Sequence, residues 1–507
     1  MRSRGITVLA MAQTAALTAG VGAALLLPAR DEGTPEKVAA AYFAAWGDGA
    51  FSRMRGLVAD PPPDFADQHR ALTRPLSVNT ILLEPRPVTS TGPDSAEAGF
   101  KVTRGLTGHD DWTFTSTLKL GRVKGRWRVL WSPATLYPGL KGKGTWALMK
   151  VTVPSVTLTA RNGKALPGGQ LDPYVTALTE GLAGEDEIGW AIELRDGTGP
   201  WRRVKLLDAK PGKKIRMTLD PRVQAAAERA VDVRQAAIVA VRPSTGEILA
   251  VADGLGGLGA FNGDYPPGST FKVVTAGALL AHGMAAGSGT DCPAVVVTAQ
   301  RTIHNDQDHA LGRTTLRDAF AASCNTTFAR LAVEDLGAAK LAAGARAFGF
   351  GERITPGVQA SGGGFPDPGG GAELAEAAIG QGRVTASPLL MATVAASVAD
   401  GSWRPPRLLA PDLIREGGGR THPVPGAAAL RTMMRAVVTG GTASTAGLPA
   451  GTAGKTGTAE FDGGAHAWFI GFRDDLAFAT FVSAGGSGPK VAAPMAARFL
   501  RAVDTDG

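Results

Sequence analysis

Residues 6–27, ITVLAMAQTAALTAGVGAALLL, carry no charge and follow Arg2 and Arg4. As a helix rising about 1.5 Å per residue this run reaches about 33 Å, enough for a bilayer core of about 30 Å. Arginines on its amino-terminal side favour an N-in, C-out orientation. The pattern predicts a single-pass anchor. A cleaved signal peptide fits less well, because its apolar core is ordinarily shorter and LLLPARDEG offers no clean small-x-small site; a buried helix is the third reading. Further on, Thr34 is placed to cap a helix that starts on Pro35, with Val38, Tyr42, Phe43 and Trp46 as its core face. In DDWTFTSTLKL the period shortens to two: Trp112, Phe114, Ser116 and Leu118 oppose Thr113, Thr115 and Thr117. After GRVKG, the run RWRVLW sets Trp127, Val129 and Trp131 on one face, so the two runs predict an antiparallel hairpin.

Residues 141–213 read as a small strand-rich linker, with short apolar patches between RNGKALPGG and LRDGTGP. The pattern then changes. Asp220 and Pro221 open a helix, QAAIVAVRPSTGEILAVA reads as strand, turn and strand, and a long helical stretch follows Ser269. AGKTGTAE, AHAWFIGFRD and LAFATFVSAG supply the last strands. Together these predict an α/β domain with an antiparallel sheet.

A chain of 507 residues with 44% hydrophobic residues accommodates about three folded units. The net charge of +8 comes without a Lys/Arg run or a zinc-finger spacing, so nucleic acid is not an expected partner; a basic surface suits an anionic envelope. Cys292 and Cys324 are the two cysteines, and one disulfide or two buried thiols both fit.

The chemistry concentrates in three short motifs. In PPGSTFK, Ser269 and Lys272 are i and i+3 and share a helix face. A serine hydroxyl becomes a nucleophile when a base takes its proton, and lysine is a base only as the free amine. Burial and a nearby positive charge both lower a lysine pKa. Alone, such a pair is a weak signal, since a capping serine and a snorkelling lysine explain most of them. In SCNTTF, Ser323 and Asn325 are two apart and face one cleft from a tight turn, with Cys324 inward; a helix cap is the plainer reading. In GKTGTAE, Lys455, Thr456 and Thr458 on an edge strand suit an anionic group, and Gly457 leaves room for a substrate backbone. HNDQDH (304–309) lacks metal-site spacing and reads as a solvated loop, and SGGGFPDPGGG (361–371) as a loop near the site. No metal or cofactor is expected.

S-x-x-K, S-x-N and K-T-G in this order resemble the penicilloyl-serine transferases: the penicillin-binding proteins and the active-site-serine β-lactamases. YPPGSTFKVVTA, LRDAFAASCNTTF, AIGQGRVTASPLLMATVAASVADG and AGKTGTAE…HAWFIGF are similar to class B penicillin-binding proteins. Residues 34–140, closing in WRVLWSPATLYPGL, resemble the NTF2-like domain of the low-affinity staphylococcal type. ARNGKAL resembles the start of that family's linker domain, but lacks the usual Arg-Gly pair, and the insertion that normally follows is much shortened. The resemblance implies a multidomain α+β chain. Its parts would be a cytoplasmic stub and transmembrane anchor (1–27), an NTF2-like domain (34–140), a shortened linker (141–213) and a β-lactamase-like transpeptidase domain (214–507).

Carried over, Ser269 would attack the penultimate D-alanine carbonyl of a peptidoglycan stem peptide and Lys272 would take its proton. Ser323 would relay a proton to the leaving D-alanine, Asn325 would hold the substrate amide, and Lys455 and Thr456 would hold the terminal carboxylate. The N–H groups of Ser269 and Thr458 would form the oxyanion hole. The implied partners are stem peptides, β-lactams, the membrane and a separate polytopic glycosyltransferase, with the catalytic domain extracytoplasmic. A β-lactamase would need no anchor or upstream domains. A D,D-carboxypeptidase, or a non-catalytic sensor or scaffold, would carry the same motifs.

Overall fold

A computed structural model describes residues 33–232, 235–414 and 418–505. The expected anchor at 6–27 lies outside them; among the described residues no helix is long and apolar enough to cross a membrane. The chain forms two compact units: residues up to 155 with 184–212, and residues 156–183 with 213 onward.

In the first unit Thr34 caps the helix Pro35–Gly47 by accepting from the Lys37 N–H at 3.3 Å. Tyr42, Phe43 and Trp46 are buried and Val38 packs at their margin. The anticipated hairpin is His109–Val123 with Arg126–Val129. It continues a sheet through Ser95–Leu106 to Val78–Pro85, with Thr89–Gly92 also paired to Ser95–Leu106. Trp112, Leu118 and Val129 are buried as the alternation requires. Ser116 is buried among them because its hydroxyl donates to the Ala134 and Thr135 carbonyls.

The stretch 141–213 does not form a unit of its own. Gly144–Val153, Glu187–Asp196 and Arg202–Leu207 make a three-stranded sheet within the first unit. Val156–Thr159 and the helix Asp172–Leu182 belong to the second, where Val156–Thr159 pairs in parallel with Lys213–Arg216. The strand-rich character of this stretch was legible; which unit each strand joins depends on partners distant in sequence.

The second unit is built on a five-stranded antiparallel sheet. Its order is Ile248–Asp253, Ala236–Val241, Leu476–Val482, Gly464–Arg473 and Ala453–Phe461. The first two strands are buried at every position, so both faces are covered. Pro388–Asp400, an apolar helix capped by Ser387, packs on the central strands, and Pro221–Val231 packs with Ala493–Thr505. Asp220 caps Pro221–Val231 through the Arg222 N–H. Ala453–Phe461 is the edge strand that borders the site.

Candidate active site

Gly268 sets the position of Ser269. Its φ is +53°, and a Cβ there would lie 2.5 Å from the Thr458 carbonyl oxygen, so only glycine passes. Its N–H donates to the Gly380 carbonyl at 2.9 Å, and the anticipated glycine-rich loop reaches this segment by stacking Phe365 on Phe271. Gly268–Phe271 is a 3₁₀ turn, and the α-helix starts only at Lys272. In a 3₁₀ turn residues i and i+3 eclipse, which brings the lysine over the serine more directly than an α-helix would.

Lys272 is fully buried. Its Nζ lies 3.0 Å from Ser269 Oγ and 3.3 Å from Ser323 Oγ, and donates to the Ser323 carbonyl at 2.5 Å and Asn325 Oδ1 at 2.6 Å. The carbonyl and the amide oxygen can only accept. A neutral amine spends both N–H groups on them, and its lone pair remains for the serine hydroxyls. Burial first, and the charge of Lys455 second, hold Lys272 well below the ordinary lysine range; Asp306 pulls the other way.

Ser323 adopts φ +62°, a left-handed backbone that is unfavourable for serine. Cys324 beside it is buried and disulfide-bonded to Cys292. The helix Asn325–Leu331 begins at once, but no side chain caps it, so the plainer reading of a helix cap does not hold; its first residue binds the lysine instead. Asn325 Nδ2 donates to the His304 carbonyl at 2.9 Å. One Nδ2 hydrogen is left for a substrate.

Lys455 is also fully buried; its Nζ donates to Ser323 Oγ at 2.8 Å and to the Thr456 carbonyl at 2.9 Å. Burial lowers its pKa to about 7. Ser323 Oγ thus sits between two lysine nitrogens, close enough to both to pass a proton.

Gly457 also has a reason within the protein. A Cβ there would lie 2.8 Å from Thr270 Cγ2 and 3.0 Å from the Pro267 carbonyl oxygen. The glycine admits the protein's own nucleophile turn.

Above these groups lies a cleft of about 2040 Å³, lined by Ser269, Ser323, Asn325, Thr442, Thr456 and Thr458 among others. Both lysines lie beneath its floor.

Sequence reasoning missed four contributors. Thr442 Oγ1 is 2.6 Å from Thr456 Oγ1 and orients it. Asn305 is not solvated: its amide donates to the Pro293 and His309 carbonyls and its Oδ1 accepts from the Thr326 N–H, tying HNDQDH to the SCN turn. Phe320 and Phe328 lie 5.7 and 5.9 Å from the Lys455 and Lys272 ammonium positions. Among the described residues no group of three or more His, Cys, Asp or Glu is placed to hold a metal.

Residues 236–501, more than half of the chain, match the penicillin-binding protein transpeptidase domain. The chain belongs to this family. Residues 34–144 match the NTF2-like N-terminal transpeptidase domain. Among characterised relatives is the peptidoglycan D,D-transpeptidase PbpA of Mycobacterium tuberculosis, 34% identical over 235 residues, covering 38% of this chain and 47% of that one. The penicillin-binding protein PbpB of the same species is 25% identical over 493 residues, covering 84% and 71%. The chain spans about half the length of PbpA in that match. Of solved structures, the D,D-transpeptidase domain of a peptidoglycan glycosyltransferase from Eggerthella lenta has 26% identity and a TM-score of 0.57, covering 70% of this chain and 99% of that one. The penicillin G acyl-enzyme complex of penicillin-binding protein A from M. tuberculosis has 28% identity and a TM-score of 0.51, covering 59% and 81%.

Proposed function

We propose that this protein is a serine D,D-transpeptidase that cross-links peptidoglycan stem peptides through an acyl-enzyme on Ser269. β-Lactams, which acylate the M. tuberculosis relative, would occupy the same serine. The observation that carries this reading is the buried Lys272 amine 3.0 Å from Ser269 Oγ, with both N–H groups engaged by acceptors.

Lys272 takes the Ser269 proton as Oγ attacks the penultimate D-alanine carbonyl. The oxyanion forms against the N–H groups of Ser269 and Thr458, each typically worth about 3–4 kcal/mol. When the C–N bond breaks, Ser323 delivers a proton to the departing D-alanine amine and recovers from Lys272 the one taken from Ser269, while Lys455 keeps its charge. An amine from a neighbouring stem then attacks the ester; its proton returns through Lys272 to Ser269. Thr456 and Thr458 face the cleft and bind the terminal carboxylate, while Lys455 acts on it through its charge from below. Asn325 holds Lys272 and offers its remaining N–H to the substrate amide.

The uncharged run 6–27 would anchor the chain with the catalytic unit outside the cytoplasm. A separate polytopic glycosyltransferase would supply the glycan strands.

The deciding measurement is turnover of a thioester stem-peptide mimic by the full chain with a D-amino acid as acceptor. An exchanged product is expected. Hydrolysis without exchange would identify a D,D-carboxypeptidase. Acylation by penicillin with no product from the thioester would leave a scaffold or sensor.

A further inference from the structure

The strand Ser95–Leu106 turns alternate side chains into the core of the first unit: Ala96, Ala98, Phe100 and Val102, none more than 3% exposed. The next inward position is Arg104, 1% exposed. Its Nε and Nη1 have no partner. Across the sheet it faces Ile81 and Trp112, and neither side chain can accept a hydrogen bond.

The Arg104 charge acts on His69, and His69 belongs to a chain of packed rings in the same core. The rings of Tyr42 and Trp46 are 6.0 Å apart, Trp46 and His69 5.3 Å, and His69 and Trp131 5.9 Å. Tyr42 OH and Trp131 Nε1, both donors, are buried without a partner. His69 Nδ1 is 2.8 Å from the Phe65 carbonyl, so that nitrogen carries the proton and Nε2 is an unfilled acceptor. Gln68 Nε2 donates to Asp64 Oδ1, which leaves Oε1 as a second unfilled acceptor.

We infer that this core binds a small oxyanion, a carboxylate or phosphate group, with Arg104 and Tyr42 as its principal ligands. Burial lowers Arg104 only to about 10, so the guanidinium stays charged at neutral pH. Burial also takes His69 down to about 4, and it stays neutral beside that charge. A buried cation without a counter-charge is strongly disfavoured. Water would fill hydrogen-bonding positions but would leave the charge uncompensated. An oxyanion supplies the charge and accepts from Arg104 in its planar fork geometry. The two unfilled acceptors suit a ligand that also carries an O–H or N–H.

The test is titration of the full chain at constant ionic strength with acetate, lactate and inorganic phosphate, reading tryptophan fluorescence and Tm. At least one of the three should bind saturably with one-to-one stoichiometry and raise Tm. Arg104→Gln should weaken that binding at least tenfold, and the exposed Arg86→Gln should not change it. Because Arg104→Gln leaves an amide in the core, Tyr42→Phe serves as a second variant. It removes one oxygen and should weaken binding by about tenfold with an unchanged circular dichroism spectrum. Failure of all three anions to saturate the wild type overturns the inference, as does undiminished binding by a folded Arg104 or Tyr42 variant.

Discussion

In the transpeptidase unit, Lys272 and Lys455 are fully buried, and each nitrogen is surrounded by hydroxyl and carbonyl oxygens. In the N-terminal unit, Arg104 is buried almost as deeply, and its Nε and Nη1 meet no acceptor. The difference follows from side-chain chemistry. A lysine answers burial by giving up its proton, and the result is a base. A guanidinium cannot do so near neutral pH, and burial creates a demand for an anion instead. One unit therefore uses desolvation to prepare a reaction, and the other to prepare a binding site.

The largest effects should come from breaking the lysine side of this contrast. Ser269→Ala should abolish the mass increase that penicillin gives on the intact chain. Lys272→Ala should slow acylation by about 10²–10⁴-fold, the usual contribution of a positioned base, measured by stopped-time mass spectrometry.

Lys455→Met probes the coupling between the two lysines. Lys272 works as the neutral amine, so acylation rises as pH climbs through its pKa. The Lys455 charge is one of two causes that lower that pKa. Removing it should raise the Lys272 pKa, move the acid limb of the pH–rate profile to higher pH, and slow acylation at pH 7 on the order of tenfold. In the wild type the rate should also fall above about pH 7, where Lys455 itself loses its charge. An acid limb that stays in place would separate the two lysines.

Smaller effects test the frame around them. The Cys292–Cys324 bond, between residues 32 apart, ties the SCN turn to the end of the strand Gly289–Cys292. Replacing both cysteines by alanine should lower stability by about 3 kcal/mol in urea unfolding, with slower acylation as Ser323 leaves its left-handed backbone. On the arginine side, Arg104→Met in buffer free of carboxylate and phosphate should stabilise the first unit by about 1–2 kcal/mol. The gain should disappear when the wild type is saturated with ligand.

Much of the architecture was legible because it is local. Thr34 and Asp220 announce their helices, and Trp112 to Leu118 announce a strand, because capping and side-chain alternation act within a few residues. The pairing of Ser269 with Lys272 is local too, since a single helical turn brings i and i+3 together. Ser323, Asn325 and Lys455 carried no such local signal. They became legible through the order of three motifs and the family they resemble.

What the chain determined by itself, then, is where each element begins and which residues carry chemistry. Tertiary structure decided what those residues meet. It set Gly457 against Thr270, placed Thr442 beside Thr456, joined Cys292 to Cys324, and divided 141–213 between two units. It also enclosed Arg104, which in sequence is one more charge near the end of an alternating strand. The physical reason is common to all of these. Periodicity and capping are properties of neighbouring residues, whereas burial, counter-charge and close approach depend on segments that only folding brings together.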